Sequence, residues 1–74
     1  QTLINLKVNN PNKIIISDKF WEKVTEIELQ LGEDGRVLIR PSGTEPLIRI
    51  MVESKDSGIS ENLCNSLADL AQRI

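Results

Sequence analysis

The chain has 74 residues, 39% hydrophobic and 27% charged, with four Gly, three Pro and one Cys. That composition suits one small globular domain and excludes disordered, collagen-like, low-complexity and disulfide-stapled classes. Nine basic residues against eleven acidic ones give a net charge of −2, which argues against a general polyanion binder, yet Arg36–Arg49 holds three arginines and a single acid, Glu45, a local +2 in a background of −4.

Below roughly 70 to 80 residues a single core rarely supplies more than about 3 to 5 kcal/mol, so support from a larger body is expected. The chain opens on Gln1 and enters patterned sequence at once, which reads as a piece of a longer protein. No apolar run approaches the ~20 residues that cross a bilayer, and no basic leader precedes a signal-like stretch. A cytoplasmic protein with no membrane partner is therefore expected.

Thr2–Val8 alternates, with Ile4, Leu6 and Val8 on one face and Asn5 and Lys7 on the other, the period of a half-buried strand. Asn9, Asn10, Pro11 and Asn12 read as a turn, and the β-branched run Ile14–Ile16 as a second strand or an extended lead-in. Ser17 or Asp18 is placed to cap a helix in which Phe20, Val24, Ile27 and Leu31 recur at helical spacing, and Gly32 supplies its stop. Trp21 flanks that stripe and is expected to anchor the core or an interdomain face rather than stack a ligand.

Arg36–Arg40 and Leu47–Glu53 read as two strands around a loop. If Arg40 faces Leu47, Ile39 faces Ile48 and Val37 faces Ile50, so one face is apolar throughout. On the other face that register makes Arg40 and Arg49 diagonal neighbours, ~7 to 8 Å apart at the backbone. Lys55–Gly58 reads as a turn, and Ser60 as the cap of a second helix whose stripe is Leu63, Leu67, Leu70 and Ile74, with Cys64, Ala68 and Ala71 beside it. Cys64, lacking a partner, reads as a small buried hydrophobe. The expected architecture is α+β, a mainly antiparallel four-stranded sheet with two helices packed on one face.

The segment Arg40-Pro41-Ser42-Gly43-Thr44-Glu45-Pro46, closed by Arg49, has the residue types of an anion cradle. Ser42 and Thr44 offer hydroxyl donors, Gly43 lets a backbone N–H approach an anion with no Cβ in the way, and the prolines stiffen the ends. Arg40 and Arg49 carry planar, permanently charged forks suited to phosphate oxygens, and Glu45 is placed to orient an arginine or accept a sugar hydroxyl. The same residues equally suit an ordinary hairpin whose arginines pair with Glu45 and Glu53 on a solvated face. With no His in the chain, His catalysis and His metal sites are excluded. Nothing matches a Walker loop or a GxGxxG fingerprint.

The stretch Gly35–Glu53, GRVLIRPSGTEPLIRIMVE, resembles the C-terminal domain of the α-D-phosphohexomutases, and the elements on either side extend the resemblance over essentially all of residues 1–74. The resemblance implies one phosphate-binding domain of a four-domain enzyme. A phosphoserine in the first domain and a Mg²⁺ held by aspartates in the second would perform the transfer, leaving no catalytic or metal-binding residue in this chain. Arg40, Ser42, Gly43 and Thr44 would bind the substrate's phosphate, with Arg49 supporting the charge.

The implied reaction interconverts glucosamine 6-phosphate and glucosamine 1-phosphate through a bisphosphorylated sugar, so the implied partners are a phosphosugar and the other domains of the same chain. Other hexose phosphates are the alternative substrates, because such a loop recognises phosphate and is nearly blind to the sugar. An alternative of another class is a stand-alone anion- or RNA-binding module. RNA-binding sheets expose stacking aromatics on their strands, whereas Phe20 and Trp21 lie in a predicted helix, so no nucleic-acid partner is expected.

Overall fold

A computed structural model describes residues 1–74. Strand β1 (Thr2–Lys7) leads into a short helix α1 (Pro11–Ile15) and a long helix α2 (Asp18–Leu31). A 3-10 turn over Gly32–Asp34 then precedes the hairpin of β2 (Arg36–Pro41) and β3 (Leu47–Glu53), and helix α3 (Ser57–Arg73) follows. The sheet has three strands in the order β1-β3-β2, both pairs antiparallel, with β3 at the centre.

The class is α+β, as expected, but the sheet has three strands rather than four and the helices number three rather than two. The difference lies in Ile14–Ile16. Asn10 accepts a hydrogen bond from the Asn12 N–H through its side chain (3.1 Å), and Pro11 occupies the first helical turn, where its missing N–H is harmless. The Asn-Pro cluster that reads as a turn is thus a helix start. Ile14 enters the core while Ile16 is 77% exposed, and the helix ends there because no stripe continues it.

Helix α2 forms for the reasons its sequence displays. Ser17 caps it by accepting from the Phe20 N–H (3.4 Å), and Phe20, Val24, Ile27 and Leu31 are all buried along one stripe. Gly32 closes it at φ +60°, a conformation that costs other residues roughly 1 kcal/mol or more. Trp21 is half-exposed, stands edge-on to Phe20 at 5.8 Å, and donates from Nε1 to the Ile15 carbonyl (2.6 Å), so it fastens α1 to α2.

Helix α3 begins earlier than Ser60. Asp56 is its cap, accepting from the Gly58 and Ile59 N–H groups at 2.8 and 3.2 Å, so Ser57 and Gly58 belong to the first turn rather than to a loop. Ser60 is instead fully buried, donating to the Ser57 carbonyl (3.0 Å) and meeting the Thr2 hydroxyl (3.2 Å), which ties α3 to β1. Cys64 is fully enclosed, its thiol turned toward the Ile50 carbonyl (3.3 Å), and burial pushes its pKa up. A protonated, inert thiol packing as a small apolar group follows.

One core forms between the three helices and one face of the sheet, from Ile14, Phe20, Val24, Ile27, Val37, Ile48, Ile50, Val52 and Leu67 among others. Each of Phe20, Ile48, Ile50, Val52 and Leu67 is fully enclosed and contributes about 1.5 to 3 kcal/mol relative to exposure. The alternate residues of the strands lie on the opposite, helix-free face. Leu3 and Leu38 there are 58% and 44% exposed, with Asn5, Arg40 and Arg49 beside them.

The hairpin register also departs from expectation. Ile39 pairs with Ile50, Val37 with Val52 and Arg40 with Arg49, a shift of two residues from the pairing in which Arg40 faces Leu47. A two-residue slip keeps every side chain on its own face, so apolar patterning is blind to it. The observed register brings Arg36 opposite Glu53, where they form an ion pair at 3.4 Å, and lets the ladder run on to Ser42. The extra pairing favours it.

Candidate phosphate-binding site

The loop end of the β2–β3 hairpin holds the residues expected to carry the chemistry. The Ser42 N–H donates to the Leu47 carbonyl (3.0 Å), extending the ladder by one pair and leaving Gly43, Thr44, Glu45 and Pro46 as the loop. The Leu47 N–H turns back to the Glu45 carbonyl (2.8 Å) around Pro46. The Val8 N–H donates to the Pro46 carbonyl (2.9 Å), so the end of β1 is fastened to the loop as well. That clamp has no signature in the sequence, because it depends on β1 and β3 being neighbours.

Arg40 and Arg49 are direct cross-strand partners on the helix-free face, not the diagonal neighbours expected. Their Cβ atoms are therefore only ~4.5 to 5.5 Å apart, a placement in which like charges repel. Neither finds an acid. The chain's two ion pairs are Arg36–Glu53 and Lys55–Asp34, both solvent-exposed, and Glu45 takes part in neither. The ordinary-hairpin arrangement, with these arginines paired to Glu45 and Glu53, is thus not the one adopted.

The rest of the loop is built around Ser42, the one half-buried residue between Pro41 and Leu47. Its Oγ accepts from the N–H groups of Thr44 (3.4 Å) and Glu45 (3.3 Å). The Gly43 N–H and the Thr44 hydroxyl have no partner within the chain. Gly43 does not adopt positive φ, and a Cβ there would meet nothing within 4 Å, so neither backbone conformation nor packing requires glycine at that position.

Arg40, Pro41, Ser42, Gly43, Thr44 and Arg49 line one depression of about 290 Å³ with no hydrophobic residue in its wall. All five residues expected to hold phosphate are brought together there. Two other hollows are larger, about 390 Å³ beside Lys7, Lys13 and Ile74, and about 440 Å³ beside Asp18, Trp21 and Glu22. The first mixes lysines with apolar groups and the second carries acids, so neither presents the converging forks and hydroxyls of the hairpin end. No group of three or more His, Cys, Asp or Glu side chains stands close enough to hold a metal ion. No helix is long and apolar enough to cross a membrane.

Taken chemically, two permanent cations, two hydroxyls and a free backbone N–H converge on one polar hollow, which is a donor set for a tetrahedral oxyanion. The chain is 45% identical over 73 residues to a phosphoglucosamine mutase of Natranaerobius thermophilus, covering 99% of this chain and 16% of the relative. It is 40% identical over 72 residues to one of Halalkalibacterium halodurans, covering 97% and 16%, and 46% identical over 69 residues to one of Oceanobacillus iheyensis, covering 93% and 15%. The chain thus spans about one sixth of the length of these relatives. The family model for the phosphoglucomutase/phosphomannomutase C-terminal domain matches residues 3–70, from the second residue of β1 to late in α3 with the whole hairpin between, and the chain belongs to that family.

Proposed function

We propose that this chain is the substrate-phosphate-binding domain of a phosphoglucosamine mutase, an isomerase that interconverts glucosamine 6-phosphate and glucosamine 1-phosphate through a bisphosphate. The observation that carries this reading is the unneutralised Arg40–Arg49 pair on the rim of a mainly polar depression. Two guanidinium groups set opposite each other without an acid leave a site whose missing charge is that of an anion. A phosphate monoester, bearing close to two negative charges at neutral pH, matches it.

A sugar that carries phosphate at either end must be held at one end while the other reacts. On this reading Arg40 and Arg49 grip the non-reacting phosphate while the Gly43 N–H and the Ser42 and Thr44 hydroxyls fill its remaining oxygens. Charge-assisted bonds of about 1.5 to 3 kcal/mol each supply the positioning. The domain orients the substrate and makes or breaks no bond. Transfer, and the Mg²⁺ that goes with it, belong to other domains of the same chain, which with the phosphosugar are the domain's partners. We place the enzyme in the cytoplasm, without nucleic-acid or membrane partners.

The test is kinetic. In the whole enzyme Arg40→Ala should lower kcat and raise KM together, reducing kcat/KM roughly ten- to a hundredfold for one lost charge-assisted contact. Arg49→Ala should act in the same direction, and the double variant should be less than additive, because both serve one phosphate. Undiminished kcat/KM in a folded Arg40→Ala enzyme would sink the proposal. Assays on glucosamine, mannose and glucose phosphates separate this mutase from its sister enzymes, since the loop itself reads phosphate and not the sugar.

A further inference from the structure

The Ser42 hydroxyl is committed in a way that a simple ligand's would not be. A hydroxyl has two acceptor positions and one donor. Both acceptor positions of Ser42 Oγ are taken from within the loop, by the Thr44 N–H at 3.4 Å and the Glu45 N–H at 3.3 Å. Only its O–H is left free to donate, and Ser42 lines the same depression as Arg40, Gly43 and Arg49. The Ser42 backbone is itself fixed, its N–H bonded to Leu47 at the last rung of the ladder.

We propose that Ser42 is a positioning residue of the phosphate site: by accepting from Thr44 and Glu45 it folds the loop into its binding shape before any phosphate arrives, and it presents a donor and no lone pair to the anion. This rests on the phosphate-binding role proposed above. The physical advantage is preorganisation. Loop ordering is completed on folding rather than on binding, and the hydroxyl cannot offer the anion a repulsive lone pair. The Thr44 side chain and the Gly43 N–H are held where the same anion meets them.

Nuclear magnetic resonance of the whole enzyme, isotope-labelled in this 74-residue segment and titrated with inorganic phosphate, tests it. In the wild type the amide protons of Gly43, Thr44 and Glu45 should shift together and saturate. Ser42→Ala should displace the Thr44 and Glu45 amide resonances before phosphate is added, leave those of Ile50 and Val52 in place, and weaken phosphate binding roughly tenfold. Ser42→Thr, which keeps the hydroxyl, should restore both properties.

If Ser42→Ala weakens phosphate but leaves the ligand-free Thr44 and Glu45 resonances unmoved, Ser42 is a ligand only and the positioning role is wrong. Unchanged affinity in Ser42→Ala overturns it equally. A wild-type chain that shows no saturable shift, and that behaves identically to Arg40→Ala, overturns the phosphate site itself and this proposal with it.

Discussion

The two ends of the β2–β3 hairpin are made from the same two strands and meet opposite fates. At the end next to α3, Arg36 pairs with Glu53 at 3.4 Å, Lys55 with Asp34 at 3.0 Å, and a side chain on Gly35 would collide with the Glu53 carbonyl and crowd Leu31. At the loop end, Arg40 faces Arg49 with no acid on either, and a side chain on Gly43 would touch nothing within 4 Å. One end is satisfied by the chain's own groups. The other keeps charge, donors and space in reserve, and on that contrast the proposed phosphate site rests.

Substituting the two glycines is the sharpest way to break that comparison. Gly35→Ala should destabilise the domain by up to about 3 kcal/mol in urea titration, because the new methyl meets fixed backbone that cannot move aside. The backbone at Gly35 is fully extended, so the cost is steric alone and larger side chains should do worse. Stability equal to wild type would show that Gly35 is as free as Gly43.

Gly43→Ala should behave in the opposite sense. The fold should be unaffected or gain about 0.4 to 1 kcal/mol from a stiffer unfolded chain, while phosphate binding falls because the methyl occupies room meant for the anion. Urea titration and phosphate titration of one variant read the two effects separately. Full phosphate affinity in Gly43→Ala would remove the only explanation for glycine there.

The smallest effects come from the charges. Arg36→Ala should cost no more than about 1 kcal/mol, as expected of an exposed pair, and less at high salt. Arg49→Ala should instead leave stability unchanged or raise it by a few tenths of a kcal/mol, about the size of a cross-strand repulsion removed. Thermal melts at low and high salt compare the signs. If both arginines prove stabilising, the loop end is not the charge-frustrated one.

How much of this was legible beforehand differs by region. The five candidate site residues lie within ten positions of one another, Arg40 to Arg49, so a single turn brings them together, but their types suit an ordinary hairpin as well, and it was the resemblance of Gly35–Glu53 to a known family that pointed to phosphate. The α2 stripe was equally plain, because Ser17, four apolar residues at helical spacing and Gly32 mark a helix without outside help. The Asn9–Asn12 cluster was ambiguous, since Asn and Pro serve turns and helix starts alike. The Asn10 cap and the burial of Ile14 against the core together decide for α1.

By itself, then, the sequence determined the class of fold, the long helices, the hairpin and the residue types gathered at the candidate anion site, all of which depend on neighbours in the chain. Tertiary structure decided the strand count, the register and the charge pairing. Period-2 patterning cannot tell registers two residues apart, and it was the Arg36–Glu53 pair and the longer ladder that chose between them. That choice turned Arg40 and Arg49 from diagonal neighbours into direct partners. Ser60 likewise changed from a presumed cap to a buried link between α3 and β1, because Thr2 reaches it from 58 residues away. A contact of that range leaves no local trace for a sequence to show.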